Sequence, residues 1–539
     1  MYFMENEDIL NKRKNELKNK ILKRFKTPYD LIALIVILAT GIFRYYLLFK
    51  SKGQALWWDE ASYLVMARCW VLDVYCYPEP IRDYAVSMFW APLIKIGVNE
   101  FGLRFITVFA GIITFYFLYI LISYFFGKKI GLVSIILTSF FYEHIFWSLR
   151  LDIGTYSILF MLISFVSYFK GIETKKYRYY ILAGILAVFS LQAHAAGVFV
   201  VLVYLVFIPI QTKFKFFKSK YFWTFFIAFI IASAPFILYN LIATGQVYPR
   251  FQGGWVDRGV IGHTFSQSLV YARTLPRVIG DLSFYLFLLG FFISLEIFLI
   301  ADKLFKHKIS KENLGIIFFI IFGLISLSLG IYSMMGAGGA IYEPRYIIPF
   351  YFATLIFASK GILFIAGLIE KHSKSKLITI IFLIIIISFI AYPQLKQTYN
   401  LVELKKQSYQ GIKQAGLWLE ANSLSDDKVM SFEAPQIVYY SGRKTIGINP
   451  VIEKVEEDLF IEEPDYFLIW IGAGQKRITE LMELIQENNE SIFPIAGFPA
   501  GAQQPTVVLY QIDDSLYGKN NNLLEKTTAN SEIQNITIP

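Results

Sequence analysis

Asp59 and Glu60, in the stretch Trp57-Trp58-Asp59-Glu60, follow an apolar run from about residue 30 to 50 that is long enough to span a bilayer. A carboxylate pair at a membrane surface is a functional candidate, although Asp is also common at helix N-caps. Further ionisable groups stand beside later apolar runs: Arg150 with Asp152, His194, Arg258 with His263, and Glu343 with Arg345 and Tyr346 in Tyr-Glu-Pro-Arg-Tyr. Each has an ordinary alternative. Arg150 and Asp152 can anchor helix ends, His194 can be a packing histidine, and Glu343 with Arg345 can pair at a Pro-initiated helix start. Collected at the mouth of a hydrophobic bundle, such groups suit a lipid-linked anionic substrate with its tail in the bilayer and its phosphate at the rim.

A bundle is what the composition demands. The 539 residues are 56% hydrophobic and 18% aromatic, which marks a polytopic membrane protein. The net charge of +10 does not point to nucleic acid, because the basic residues are spread through short loops between apolar runs. Windows of about 19 residues give spans near 30–50, 104–126, 130–147, 153–169, 179–192, 196–210, 221–243, 282–301, 314–334, 346–368 and 377–393, about eleven in all. With the basic segment 1–29 in the cytoplasm, the loops at Lys128-Lys129, 170–178, 213–220, 303–311 and 371–376 return there, and each is rich in Lys. The opposite loops are not, so the positive-inside rule favours this orientation. No small-residue cleavage site follows the first run, so that span is expected to be retained.

The outer face then holds loop 51–103, the turns at 150–152 and 192–194, loop 244–281 and the turn 335–345. The first loop carries helix-length apolar patches that suit interfacial helices. The second, about 37 residues long, suits a lid or a binding segment. Cys69 and Cys76 both fall in the first loop, as a disulfide or as two separate thiols. After Pro393 the pattern changes. Helices at 410–421, 434–440 and 476–488 alternate with strands at 428–432, 466–470 and 506–511, which predicts a small α/β domain over 400–517. In it Asp465 and Glu433 read as caps and rim charges. Residues 518–539 are polar and expected to be disordered, with a formal glycosylation sequon at Asn535.

In sequence order the chain resembles the GT-C class of polytopic glycosyltransferases, in particular the dolichyl-phosphate-mannose protein mannosyltransferases and the aminoarabinose transferases. The residues that carry the resemblance are Asp59-Glu60-Ala61 with Tyr63, Ala91-Pro92-Leu93 followed by Gly102 to Arg104, Arg150-Leu-Asp152, and Glu343-Pro-Arg345-Tyr346 with Pro349. Tyr439-Tyr440-Ser441-Gly442-Arg443 and Pro464-Asp465-Tyr466 add to it. The resemblance implies an α-helical membrane protein with an extracytoplasmic α/β domain. It implies transfer of a sugar from a polyprenyl(dolichyl)-phosphate donor to a protein, lipid or glycan hydroxyl on the outer face, and the membrane is expected to be the plasma membrane.

By the same resemblance Asp59 is the base and Glu60 its positioning partner. Arg345, then Arg258, meets the phosphate together with Tyr346, because guanidinium forks match phosphate geometry. Arg150, Glu343 and His194 are expected at the substrate, and Asp152 with His263 at a divalent metal ion. Many relatives have Lys-Pro-Pro-Leu where this chain reads Trp90-Ala91-Pro92-Leu93, so either Lys95 or a loop arginine replaces that lysine or the donor is held differently. The rival class is a transporter or lipid flippase. Against it, the ionisable residues gather at one face, and no pair of interrupted spans is evident in corresponding halves. A scaffold that merely presents the soluble domain would leave the outer carboxylates and arginines without a role.

Overall fold

The computed structural model describes residues 27–77, 82–247, 270–302, 310–336, 344–448, 452–471, 475–499 and 506–518. Along the chain run helices α1 (Pro28–Lys50), α2 (Trp58–Cys69), α3 (Ala85–Lys95), α4 (Glu100–Phe126), α5 (Lys128–Ser139), α6 (Tyr142–Ser148), α7 (Ile153–Thr174) and α8 (Tyr177–Ala193). They continue with α9 (Val198–Thr212), α10 (Lys220–Thr244), α11 (Val270–Ile279), α12 (Asp281–Asp302), α13 (Lys311–Gly336), α14 (Ile348–Ser373) and α15 (Lys376–Lys405). The remaining elements are α16 (Gln410–Asn422), β1 (Lys428–Ser431), α17 (Ala434–Ser441), β2 (Lys444–Gly447), α18 (Ile452–Glu462), β3 (Tyr466–Trp470), α19 (Gln475–Glu487), β4 (Ile492–Phe498), β5 (Val507–Ile512) and α20 (Ser515–Gly518). Two compact units emerge: one of Met1–Lys50, Pro80–Val86 and Glu100–Val402, the other of Ser51–Glu79, Ser87–Asn99 and Glu403–Pro539.

The first unit is helical and integral to a membrane. The expected apolar runs fall on helices, that at 130–147 being divided between α5 and α6. Among the described residues seven helices are long and apolar enough to cross a bilayer, or nine if each of two bent pairs is one span. The runs at 179–192 and 196–210 lie on α8 and α9, which have 17 and 15 residues and are shorter than a straight span needs. An aromatic core joins the helices: Phe169 packs edge-on against Phe125, Phe207 and Phe318, and Phe318 against Phe165. Helices α12 and α14 cross where neither has a side chain. A Cβ on Gly290 would collide with the Phe357 carbonyl, and one on Gly361 with that of Leu286.

The two bent pairs were not visible in the sequence pattern. Helices α5 and α6 meet at 63°, and α11 and α12 at 113°. A break in an apolar environment frees backbone groups that water cannot satisfy, and buried side chains close them here. Arg44 of α1, fully buried, donates to the Ser139 carbonyl at 3.2 Å and to Ser148 Oγ at 3.3 Å, with its guanidinium 5.0 Å from the Phe115 ring centre. Gln394 of α15 serves both breaks. Its Oε1 accepts from the Tyr142 backbone N–H at 3.1 Å, and its Nε2 donates to the Val278 carbonyl at 3.1 Å.

The second unit is built on a five-stranded sheet of order β2-β1-β3-β5-β4. Strands β2, β1 and β3 are parallel, whereas β5 runs antiparallel to both β3 and β4. Alternation of side chains divides the core between the faces. Val429, Leu468, Val507 and Leu509 pack with Ile412, Ala415 and Leu419 of α16, and Met430, Phe467, Ile469 and Ile512 pack with Val455 of α18 and Leu481 and Ile485 of α19. The expected α/β domain is present, but β2, β4 and α18 are additions to the three strands and three helices read from the sequence. Asp465, just before the central strand β3, accepts from the Lys428 N–H at the start of β1 at 2.7 Å. Glu433, at the N-cap of α17, is buried, and that burial pushes its carboxyl up to about 7. Cys69 and Cys76 are disulfide-bonded, with Cα atoms 5.5 Å apart.

Candidate functional site

In the first unit, helix α7 begins at a cleft. Asp152 is its N-cap: Oδ2 accepts from the Thr155 backbone N–H at 2.8 Å and from Thr155 Oγ1 at 3.0 Å, the pattern its Asp-x-x-Thr sequence encodes. The carboxyl is buried. Burial raises its pKa, while the neighbouring Arg345 charge and the Thr155 hydrogen bonds pull the other way, and the net shift is upward. The cleft, partly open to solvent, lies between Asp152, His194, Arg345 and Tyr346 at its polar end and Ile158, Met161 and Phe199 along α7 and α9.

Aromatic rings and nearby backbone hold the other polar groups. Glu143 Oε2 accepts the indole N–H of Trp147 at 3.0 Å, and that ring lies 4.5 Å from the Arg345 guanidinium carbon. Arg345 also donates to the Tyr346 hydroxyl at 3.3 Å. The Tyr346 ring stacks on His194, with centres 5.6 Å apart. The backbone N–H of Ala196 donates to His194 Nδ1 at 3.0 Å, so the neutral imidazole carries its proton on Nε2. A guanidinium, an imidazole N–H and the first turn of a long helix together favour an anion at this end. Arg150 does not line the cleft. It is buried, 4.6 Å above the Phe146 ring centre.

Asp59 and Glu60 belong to the second unit, in the first turn of α2. Asp59 is half-buried. Glu60 is buried and turns back, its Oε2 accepting the Trp57 N–H at 2.8 Å, which closes the first turn as a capping box does. Lys95 is exposed in the last turn of α3, also within this unit. Arg258, His263 and Glu343 lie outside the described residues. So does half of the expected metal pair. Among the described residues no group of three or more His, Cys, Asp or Glu side chains converges, and Asp152 faces a guanidinium instead. With His263 outside the described residues the expected pair is not seen together, and no step below uses a metal ion.

Sequence reasoning passed over Arg44, Glu143, His144 and Gln394. A signal was available, because Arg44, Glu143 and His144 are ionisable residues inside apolar runs, where any such group is a site candidate.

Residues 83–239 match the family described as dolichyl-phosphate-mannose-protein mannosyltransferase. No curated protein matches the sequence. Among solved structures, ArnT from Cupriavidus metallidurans in the apo state is similar with a TM-score of 0.60 at 10% identity, covering 90% of this chain and 98% of its own. The same protein bound to undecaprenyl phosphate gives 0.57 at 9% identity over 88% and 97%. The archaeal oligosaccharyltransferase AglB from Archaeoglobus fulgidus, in complex with an inhibitory peptide and a dolichol-phosphate, gives 0.55 at 11% identity over 83% and 70%. The resemblance read from the sequence is therefore borne out as a fold: the chain has the architecture of GT-C membrane glycosyltransferases, helical with a small C-terminal sheet.

Proposed function

We propose that this protein is a membrane glycosyltransferase that moves a sugar from a polyprenyl-phosphate carrier to an acceptor hydroxyl on the extracytoplasmic face of the plasma membrane. The observation that carries the reading is the cleft, with Arg345 and His194 at one end and the apolar wall of Ile158, Met161 and Phe199 leading away from it. A phosphate suits the first part and an isoprenoid chain the second. The undecaprenyl phosphate and dolichol-phosphate complexes of the two neighbours support this ligand class. The Cys69–Cys76 disulfide supports an oxidising compartment for the segment that bears Asp59.

Asp59 takes the proton of the acceptor hydroxyl, whose oxygen forms the new bond to the anomeric carbon. The bond from that carbon to the donor phosphate breaks, and its electron pair leaves with the polyprenyl phosphate. Arg345 offsets the charge on that leaving group, Tyr346 and the His194 N–H hold its oxygens, and Asp152 keeps Arg345 and the start of α7 in register. Glu60 fixes the turn that presents Asp59. Arg258, Lys95, Glu343 and Arg150 are secondary candidates for contacts to phosphate or acceptor. Membranes containing the protein, supplied with a panel of labelled polyprenyl-phosphate monosaccharides, test the reading: release of polyprenyl phosphate with labelled product supports it, and inertness on every donor refutes it.

The two bent helix pairs favour a second reading, because interrupted spans are also the mark of secondary transporters and flippases. Headgroup flux across proteoliposomes, with no transfer on any donor, would select that reading.

A further inference from the structure

The motif Tyr439-Tyr440-Ser441-Gly442-Arg443 stands far in sequence from every group assigned to the chemistry, yet most of it is committed within the second unit. Arg443 closes the end of α16, donating to the Glu420 carbonyl at 3.1 Å and the Ser423 carbonyl at 2.8 Å. Gly442, at a φ of 69°, ends α17 in the left-handed conformation that favours glycine, and its N–H returns to the Val438 carbonyl. These two fix where α17 lies. Gly416 lets it come close to α16, since a Cβ there would stand 2.6 Å from Tyr440 Cβ.

What α17 then presents is a clamp on one residue. The Leu56 backbone N–H donates to the Tyr440 hydroxyl at 2.8 Å, and Gln436 Nε2 donates to the Leu56 carbonyl at 2.8 Å. Leu56, Gln436 and Tyr440 are all buried. Two side chains one helical turn apart thus satisfy both polar groups of a single peptide residue, as a neighbouring strand would. Leu56 lies three residues before Asp59, immediately ahead of the capped first turn of α2. Nearby contacts hold the same segment: Gln54 Nε2 donates to the Lys405 carbonyl at 2.6 Å, and Gln410 Nε2 to the Gly53 carbonyl at 2.7 Å. At the far end of α2, Arg68 donates to the Tyr439 carbonyl at 2.8 Å.

We infer that Gln436 and Tyr440 are positioning residues for Asp59, so that the C-terminal α/β domain fixes the base of the transfer reaction rather than serving only as an appendage. This rests on the transferase reading for its consequence, though not for the clamp itself. Removing the Tyr440 hydroxyl leaves a buried N–H without its acceptor, and the Leu56–Trp57 segment must shift or open to satisfy it. A displacement of about 1 Å at a reacting group costs on the order of a hundredfold in rate. The side chain that shifts is the base, while Arg345, Tyr346 and His194, proposed to hold the donor phosphate, belong to the other unit.

The test uses full-length protein and two variants, Tyr440→Phe and Gln436→Leu, so that one which fails to accumulate does not end it. Hydrogen exchange is followed on peptides covering residues 54–60 and on the sheet strands, and transfer is measured with the polyprenyl-phosphate donor on which wild type is active. The expected result has four parts: faster exchange at 54–60 with the sheet unchanged, kcat lower by about tenfold to a hundredfold, an unaltered KM for donor, and no further loss when Tyr440→Phe is added to Asp59→Asn. Unchanged exchange at 54–60, wild-type kcat, or a loss that adds fully to that of Asp59→Asn overturns the inference. Inertness of wild type on every donor overturns the transferase reading and the catalytic consequence with it, and the exchange data then decide the clamp alone.

Discussion

The cleft at the start of α7 and the helix that carries Asp59 are held in place by opposite means. Around the cleft, position comes from interrupted helices inside an apolar bundle. The chain turns at Ser139 to Tyr142, and buried Arg44 and Gln394 close the backbone groups exposed there. The Asp59 helix follows an unbroken segment whose backbone is read by side chains of an α/β domain, Gln436 and Tyr440. Where water is absent, a polar side chain must come to every freed backbone group. Within one compact unit, side chains of a neighbouring helix can supply the constraint. The first arrangement suits a group that waits for a lipid phosphate, and the second suits a base whose place is set independently of the donor.

Variants sharpen this comparison in order of expected size. Asp59→Asn removes the base without removing the clamp, and transfer should fall by roughly a thousandfold, measured as labelled product from membranes, while Tm stays at the wild-type value. Arg345→Ala strips the cleft of its guanidinium and should lower transfer by about a hundredfold with weaker donor binding. Arg345→Lys should recover only part of that, because a point charge replaces a planar fork. Gln394→Leu acts on the bundle alone. It leaves the Tyr142 N–H and Val278 carbonyl unmet, so Tm should drop and the detergent-solubilised protein should unfold earlier, at a cost of about 2 to 5 kcal/mol for two buried groups.

Glu433→Gln is the smallest in activity and tests the other unit. The buried Glu433 carboxyl is raised from 4.5 to about 7. The folded state therefore holds its proton more tightly than the unfolded chain, and this group's contribution to stability is present below about 4.5 and declines as pH rises through about 7. The span of about 2.5 units corresponds to roughly 3 kcal/mol at most. Unfolding of the second unit followed across that range should show a slope in wild type that is absent in Glu433→Gln. Equal slopes would mean that the carboxyl is not desolvated as the packing implies.

Much of this was legible in the sequence, and the parts that were not share a cause. Apolar runs located the helices, and Asp152, His194, Arg345 and Tyr346, singled out separately in the sequence, line one cleft. The break between α5 and α6 was hidden because Ser139-Phe140-Phe141 contains neither Pro nor Gly, and its stabilising partners are 95 residues before it, at Arg44, and 252 residues after it, at Gln394. The same distance effect concealed the stacking of His194 on Tyr346 and the grip of Tyr440 on Leu56. Strand β2, Lys444–Gly447, is four residues long and mixes Lys with Thr. Strand β4 includes Pro494 and Gly497 and carries a bulge between Pro494 and Ala496, so neither has the alternation that identifies a strand.

The central claim is that donor binding and proton abstraction reside on separately held parts of the chain. It is tested most directly by measuring, on the same preparations, polyprenyl-phosphate binding and sugar transfer for wild type, Asp59→Asn and Arg345→Ala. The account predicts that Asp59→Asn binds polyprenyl phosphate as wild type does yet transfers almost nothing, and that Arg345→Ala loses binding and transfer together. An Asp59→Asn protein that loses lipid-phosphate binding, or an Arg345→Ala protein that keeps it, would contradict that division.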